Sequence, residues 1–152
     1  MLGSLSQHVS KPRHDTLRLL HYDRSEESTH AAEDLLGLTY VEGVVTGPSG
    51  TARSVRFMVD SGAKYSLLPP GDWRAIGLAP KRRVTFGLAE GTLIERDVSE
   101  CHIALPQGDG HTPVILGEPG DEALLGVVTL EMLGFVLNPF SRTIQPARLL
   151  LA

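Results

Sequence analysis

A single cysteine, Cys101, stands among the 152 residues. An intrachain disulfide is excluded, no Cys/His framework for a structural metal is present, and a reducing compartment fits. No apolar stretch approaches the ~20 residues that a bilayer span needs, and the opening Met1-Leu2-Gly3-Ser4 lacks the charged-then-apolar order of a secretory signal. The expected address is the cytoplasm, with no membrane partner. An excess of positive charge is missing too: the net charge is -4, and the basic residues are scattered apart from Lys81-Arg82-Arg83. Three residues are too few for an electrostatic footprint, so no nucleic acid partner is expected. No internal repeat is visible, and the Gly-x-Ser-x-Gly elbow of serine hydrolases does not occur.

What the chain does contain is turn chemistry. Sixteen glycines and ten prolines, in a chain the size of one compact domain, suit many short strands joined by turns and argue against a helical bundle. Residues 1–36 are polar, hold four of the six histidines (His8, His14, His21 and His30) and show no sustained period of 2 or 3.6. They are expected to form a flexible tail ahead of a domain at 37–152. Residues 38–45 are rich in β-branched and aromatic side chains, Gly47-Pro48-Ser49-Gly50 is a turn cluster, and 54–59 is apolar again, which predicts a β-hairpin. Residues 65–68 read as a short strand ended by Pro69-Pro70-Gly71, after which Asp72 is placed to cap one helical turn reaching Ile76.

Strands follow at 84–88 and 92–105 around an Ala89-Glu90-Gly91 turn. A bend or bulge is expected near Ser99, because the apolar alternation changes face after Val98. Residues 112–116 form another strand. Residues 124–133 carry apolar side chains at helical spacing that Gly134 terminates, and 135–137 and 143–145 are the last strands. This order predicts an all-β barrel with a lone helix.

Asp60-Ser61-Gly62 is made of common turn residues, and a plain turn is the simplest reading of it. Its setting argues for more. Phe57-Met58-Val59 is an apolar strand that delivers the aspartate into a sharp bend, and a carboxylate at the end of a core strand is costly unless it is hydrogen-bonded or functional. Phe57-Met58-Val59-Asp60-Ser61-Gly62-Ala63 resembles the active-site signature of bacterial-type, retropepsin-like aspartic proteases: two apolar residues, then Asp, Ser or Thr, Gly and Ala. Leu67-Leu68-Pro69 is similar to the strand end that follows it in that family. Leu124-Leu125-Gly126 resembles the second element, an apolar pair and a glycine leading into a helix, and Thr129 to Asn138 resembles the helix and terminal strand. Gly87-Leu88-Ala89-Glu90-Gly91 falls where the family has its flap hairpin. The likeness runs over about residues 38–146 and implies an all-β, retropepsin-like closed β-barrel (the acid protease fold) with one short C-terminal helix, working as a homodimer.

By that resemblance the catalytic residues are Asp60, Ser61 and Gly62, and the substrate is contacted by Ala63, Leu88, Ala89, Glu90 and Gly91. The implied activity is aspartic endopeptidase cleavage of a peptide or protein, with no cofactor. The chemistry of amide hydrolysis agrees: one carboxylate must take a proton from water, and a second, protonated one must polarise the carbonyl. The chain has no second Asp-Ser/Thr-Gly, since Asp72 precedes Trp73, Asp97 precedes Val98, Asp109 precedes Gly110 and Asp121 precedes Glu122. A two-fold dimer would bring two copies of Asp60 to its axis, and the apolar Leu149-Leu150-Leu151 suits a shared interface sheet. In the family picture Ser61 orients the site through its hydroxyl, and Gly62 lets the backbone come close to carboxylate and substrate.

The chain departs from the family at two places. Many retroviral members carry a basic residue after the second-motif glycine, where Val127 and Val128 stand here. Glu90 occupies the hairpin tip, where glycines are usual; it reads first as a solvated turn residue and second as a bias toward basic substrates. Two rival functions are a catalytically silent dimeric peptide-binding or assembly module on the same fold, and a generic β-barrel interaction domain, which predicts a stable monomer. Cys101 and His102 are strand neighbours facing opposite ways and are not expected to pair as nucleophile and base. Cys101, Trp73, Leu130, Met132 and Leu133 are expected in packing.

Overall fold

The described residues, 37–148 with 150 and 151, form nine strands and two short helices in the computed structural model. The tail expected at 1–36 and the first of the three C-terminal leucines lie outside the described residues. Strands β1 (Thr39–Thr46) and β2 (Ala52–Val59) pair antiparallel in one unbroken register, from Thr39↔Val59 to Thr46↔Ala52. Gly50 makes the tight connection possible by taking φ +86°, where a side chain would be strained. Along β2 the period of two is clean: Val55, Phe57 and Val59 are buried while Ser54 and Arg56 face solvent.

The remaining elements are β3 (Ser66–Leu68), α1 (Pro70–Ala75), β4 (Arg82–Gly87), β5 (Leu93–Leu105), β6 (Gly108–Leu116), β7 (Leu124–Leu125), α2 (Val127–Met132), β8 (Phe135–Asn138) and β9 (Thr143–Pro146). Seven strands form one sheet in the order β1-β2-β7-β3-β6-β5-β4, and β1 also pairs with β5. The mostly-β sheet is therefore ring-like, with β4 hanging outside the ring on β5; β8 and β9 make a separate two-stranded sheet. The ring is thinnest at β7, which pairs two residues with β2 in parallel and one with β3. Val45, Phe57, Leu68, Ile103, Val114 and Leu125 are fully buried, each worth about 1.5–3 kcal/mol on leaving water, against roughly 1 kcal/mol net per backbone hydrogen bond.

Three local expectations change. The helix expected over 124–133 begins only at Val127, because Leu124 and Leu125 are drawn into β7 by β2 and β3. With α1 the domain thus has two short helices instead of the single C-terminal one. Asp72 does not cap α1; Pro69 holds that position without a side-chain cap, and Asp72 pairs with Arg53 Nε at 2.6 Å. No residue is extra near Ser99, since β5 and β6 pair one to one from Val98↔Ile115 to Leu105↔Gly108. Instead β5 exchanges partners on its other edge, from β4 up to Val98 to β1 from His102 onward. Val98 is consequently buried apart from the main core, which takes Cys101, Ile103 and Leu105. Among the described residues no helix is long and apolar enough to cross a membrane.

Candidate active site

β2 carries the chain to Asp60 and runs parallel to β7, with Met58 opposite Leu124 and Val59 opposite Leu125. The ladder extends one residue at each end: Met58 N–H donates to Ala123 O at 3.0 Å and Asp60 N–H to Leu125 O at 3.1 Å. There the chain bends. Ala63 N–H donates back to Asp60 O at 3.2 Å, and Gly62 N–H donates to the carboxylate Oδ1 of Asp60 at 2.9 Å. The aspartate is half-buried and already accepts one hydrogen bond from its own turn, while Ser61 and Gly62 are exposed.

The other side of the bend is clasped by the start of α2. Val127 N–H donates to Ala63 O at 2.9 Å and Val128 N–H to Lys64 O at 3.0 Å, so two of the amides left unpaired at a helix N-terminus are satisfied by the Asp60 loop rather than by a capping side chain. Such an approach requires glycine at 126. A Cβ there would lie 2.5 Å from the carbonyl carbon of Tyr65 and 2.6 Å from its oxygen. Asp60, Ser61, Gly62 and Ala63 are thus held together against residues 124–128. Ala63 spends both its N–H and its carbonyl inside this clasp.

The expected substrate-contacting hairpin forms between β4 and β5. Leu88 N–H donates to Thr92 O at 2.8 Å, Gly91 N–H donates to Leu88 O at 2.9 Å, and Gly91 takes φ +92°. Leu88, Ala89, Glu90 and Gly91 are all exposed. Hairpin and Asp60 loop are joined at the hairpin root, where the Phe86 and Tyr65 rings meet edge-on with centroids 5.8 Å apart and Arg82 Nη2 approaches the Tyr65 hydroxyl at 3.4 Å. The sequence places Tyr65 only at the start of a strand; an aromatic residue three positions past Gly62 is the signal it carries for this joint.

The other described aspartates have partners elsewhere. Asp72 pairs with Arg53, Asp97 stands 3.9 Å from Arg83, Asp109 bonds His102 Nε2 at 2.7 Å, and Asp121 accepts the Glu118 N–H. Cys101 sits in the core as expected, its thiol pushed up to about 12 by burial, and His102 turns to the other face toward Asp109. A cleft of about 520 Å³ lined by Gly47, Leu78, Pro80, Lys81, Glu100 and His111 lies at the opposite end of β2, roughly 25 Å from Asp60 by strand rise. None of the expected site residues lines it. Among the described residues no three His, Cys, Asp or Glu side chains come together as a metal site. The chain matches no family model and no curated protein.

Proposed function

We propose that this chain is a retropepsin-like aspartic endopeptidase acting as a homodimer, with Asp60 of each copy at a shared site. The observation that carries the reading is the clasp: a half-buried aspartate at the end of a core strand, its amide bonded to Leu125 and its loop bonded to the first amides of α2. A rigid, hydrogen-bonded carboxylate on an exposed turn is what a two-carboxylate site needs from each half. In this reading the ring-like sheet is the closed barrel of the acid protease fold, and the β4–β5 hairpin folds over a bound peptide. Support for a second copy comes from exposed apolar side chains near the C-terminus: Met132, Val136, Phe140 and Leu150, with Phe140 97% exposed at the β8–β9 turn.

The reaction then follows. One Asp60 carboxylate takes a proton from water as the water oxygen bonds to the scissile carbonyl carbon, while the other, protonated, gives its proton to the carbonyl oxygen. Proton return to the amide nitrogen allows the C–N bond to break, giving a carboxylic acid and an amine. The test is turnover of a random peptide library with and without pepstatin, using Asp60→Asn as control. Cleavage blocked by pepstatin and absent in the variant is expected. A dimer without turnover would transfer the reading to a peptide-binding or assembly module, and equal turnover in both proteins would expose a contaminant.

A further inference from the structure

Four polar side chains are buried among the described residues, Ser66, Ser99, Thr112 and Thr129, and three of them meet at one point behind the Asp60 loop. Ser66 Oγ lies 2.5 Å from Thr129 Oγ1, which lies 2.8 Å from Thr112 Oγ1. At one end Ser66 Oγ accepts the Gly126 N–H at 3.0 Å; at the other, Thr112 Oγ1 faces the Pro113 carbonyl at 3.4 Å.

Each hydroxyl has one proton, so the direction of the chain is determined. The Pro113 carbonyl can only accept, which uses the Thr112 proton. Thr112 must then accept from Thr129, and Thr129 from Ser66. Ser66, its proton spent, accepts from the Gly126 N–H, which has nothing to do but donate. Every member gives once and takes once. The relay links four pieces of the fold: the junction before α2, β3 as it leaves the Asp60 loop, α2 itself, and β6.

We propose that Ser66, Thr129 and Thr112 are positioning residues of the Asp60 site, and this rests on the aspartic protease reading above. The Gly126 N–H belongs to the same peptide group as the Leu125 carbonyl that holds the Asp60 amide, so the relay ends on the aspartate's own anchor. Valine at 112 and 129, and alanine at 66, would fill nearly the same volume without burying a hydroxyl. Three buried hydroxyls instead give the seam a single register, because any slip leaves a polar group unpaired in a dry place. Two carboxylates that share one water must meet within about half an ångström, and a misplacement of about 1 Å costs up to ~100-fold in rate.

The experiment uses the full chain with Thr129→Val and Thr129→Ser, read by residue-resolved amide exchange and by steady-state kinetics. Thr129→Val should speed exchange about tenfold or more at Asp60, Gly126, Val127 and Val128, relative to Val45 and Ile103 in the ring. It should also lower kcat about 10–100-fold with KM within about twofold. Thr129→Ser should restore both. Faster exchange spread evenly over the ring and the loop would mean general destabilisation and would overturn the proposal, as would unchanged exchange at the four loop amides. Selective loosening of the loop in a protein whose wild type cleaves nothing would uphold the clamp and sink the protease reading. If Thr129→Val does not fold, Thr112→Val removes only the last hydroxyl of the relay, and selective loosening of the same four amides is the expected result; none would refute the relay.

Discussion

Leu125 accepts the backbone amide of Asp60 at 3.1 Å, while the adjoining Gly126 sits so close to Tyr65 that a Cβ would lie 2.5 Å from that residue's carbonyl carbon. The aspartate is therefore positioned by a contact between two segments far apart in the chain, and that contact tolerates no side chain at 126.

Gly126→Ala should consequently lose at least about 1–3 kcal/mol, the cost of overpacking a tight backbone contact. A thermal melt should fall by about 4 °C for each kcal/mol in a domain spanning residues 37–152. Gly62→Ala is the contrasting variant. Its Cβ would meet only Asp60 Oδ1, at 3.2 Å, so stability should stay within about 0.5 kcal/mol while peptide turnover falls, the carboxylate having to give way. Equal melting of wild type and Gly126→Ala would refute the clasp.

The proposed shared site makes one defective chain spoil both halves. Co-expressing equal amounts of wild type and Asp60→Asn should leave about a quarter of randomly paired dimers active. Specific activity plotted against mixing ratio should curve; a straight line would mean that each chain works alone. Phe140→Ser, altering an exposed residue outside the Asp60 loop, should weaken the dimer in sedimentation, and an unchanged association constant would remove Phe140 from the interface.

Cys101 gives a pH-dependent prediction. Burial raises its thiol from 9.0 to about 12, so in the folded protein the thiolate is scarce at pH 8 and alkylation by iodoacetamide should proceed only through unfolding. The folded value stands above the unfolded one. The stabilising contribution is thus fully present below about pH 9 and is lost progressively as pH rises toward 12. Urea melts at pH 7, 9 and 10.5 should show declining midpoints, and Cys101→Ala should flatten that part of the decline. Rapid alkylation of the native protein at pH 8 would contradict the burial of the thiol.

Glu90 is exposed at the hairpin tip, and the two readings of it separate cleanly. As a solvated turn residue, Glu90→Gln should change neither the melt nor the ratio of kcat/KM for basic and neutral peptides. A several-fold loss confined to basic peptides would instead place its charge over the substrate. Tyr65→Leu is the companion variant. It removes the edge-on contact with Phe86, worth about 0.5–1.5 kcal/mol, and should raise KM by loosening the hairpin root.

Much of this architecture was legible because its causes are local. The alternation of Val55, Phe57 and Val59 with polar residues, the glycine-proline cluster before β2, and the stop at Gly134, which takes φ +77°, each act over a few residues and can be read where they stand. So could the placement of Asp60 at the end of an apolar strand. The fate of Leu124 and Leu125 was not legible: their spacing is equally good for a helix, and only β2 and β3 arriving on either side turn them into a strand. Ser66, Thr112 and Thr129 read as ordinary strand and helix residues, yet they join across 17 and 63 positions. By itself the sequence determined where strands alternate, where turns fall and which carboxylate ends a core strand, since side-chain period and backbone freedom are properties of neighbours. Only the tertiary structure decided what holds that carboxylate still, because hydrogen bonds and steric limits between distant segments exist only once packing has brought them into contact.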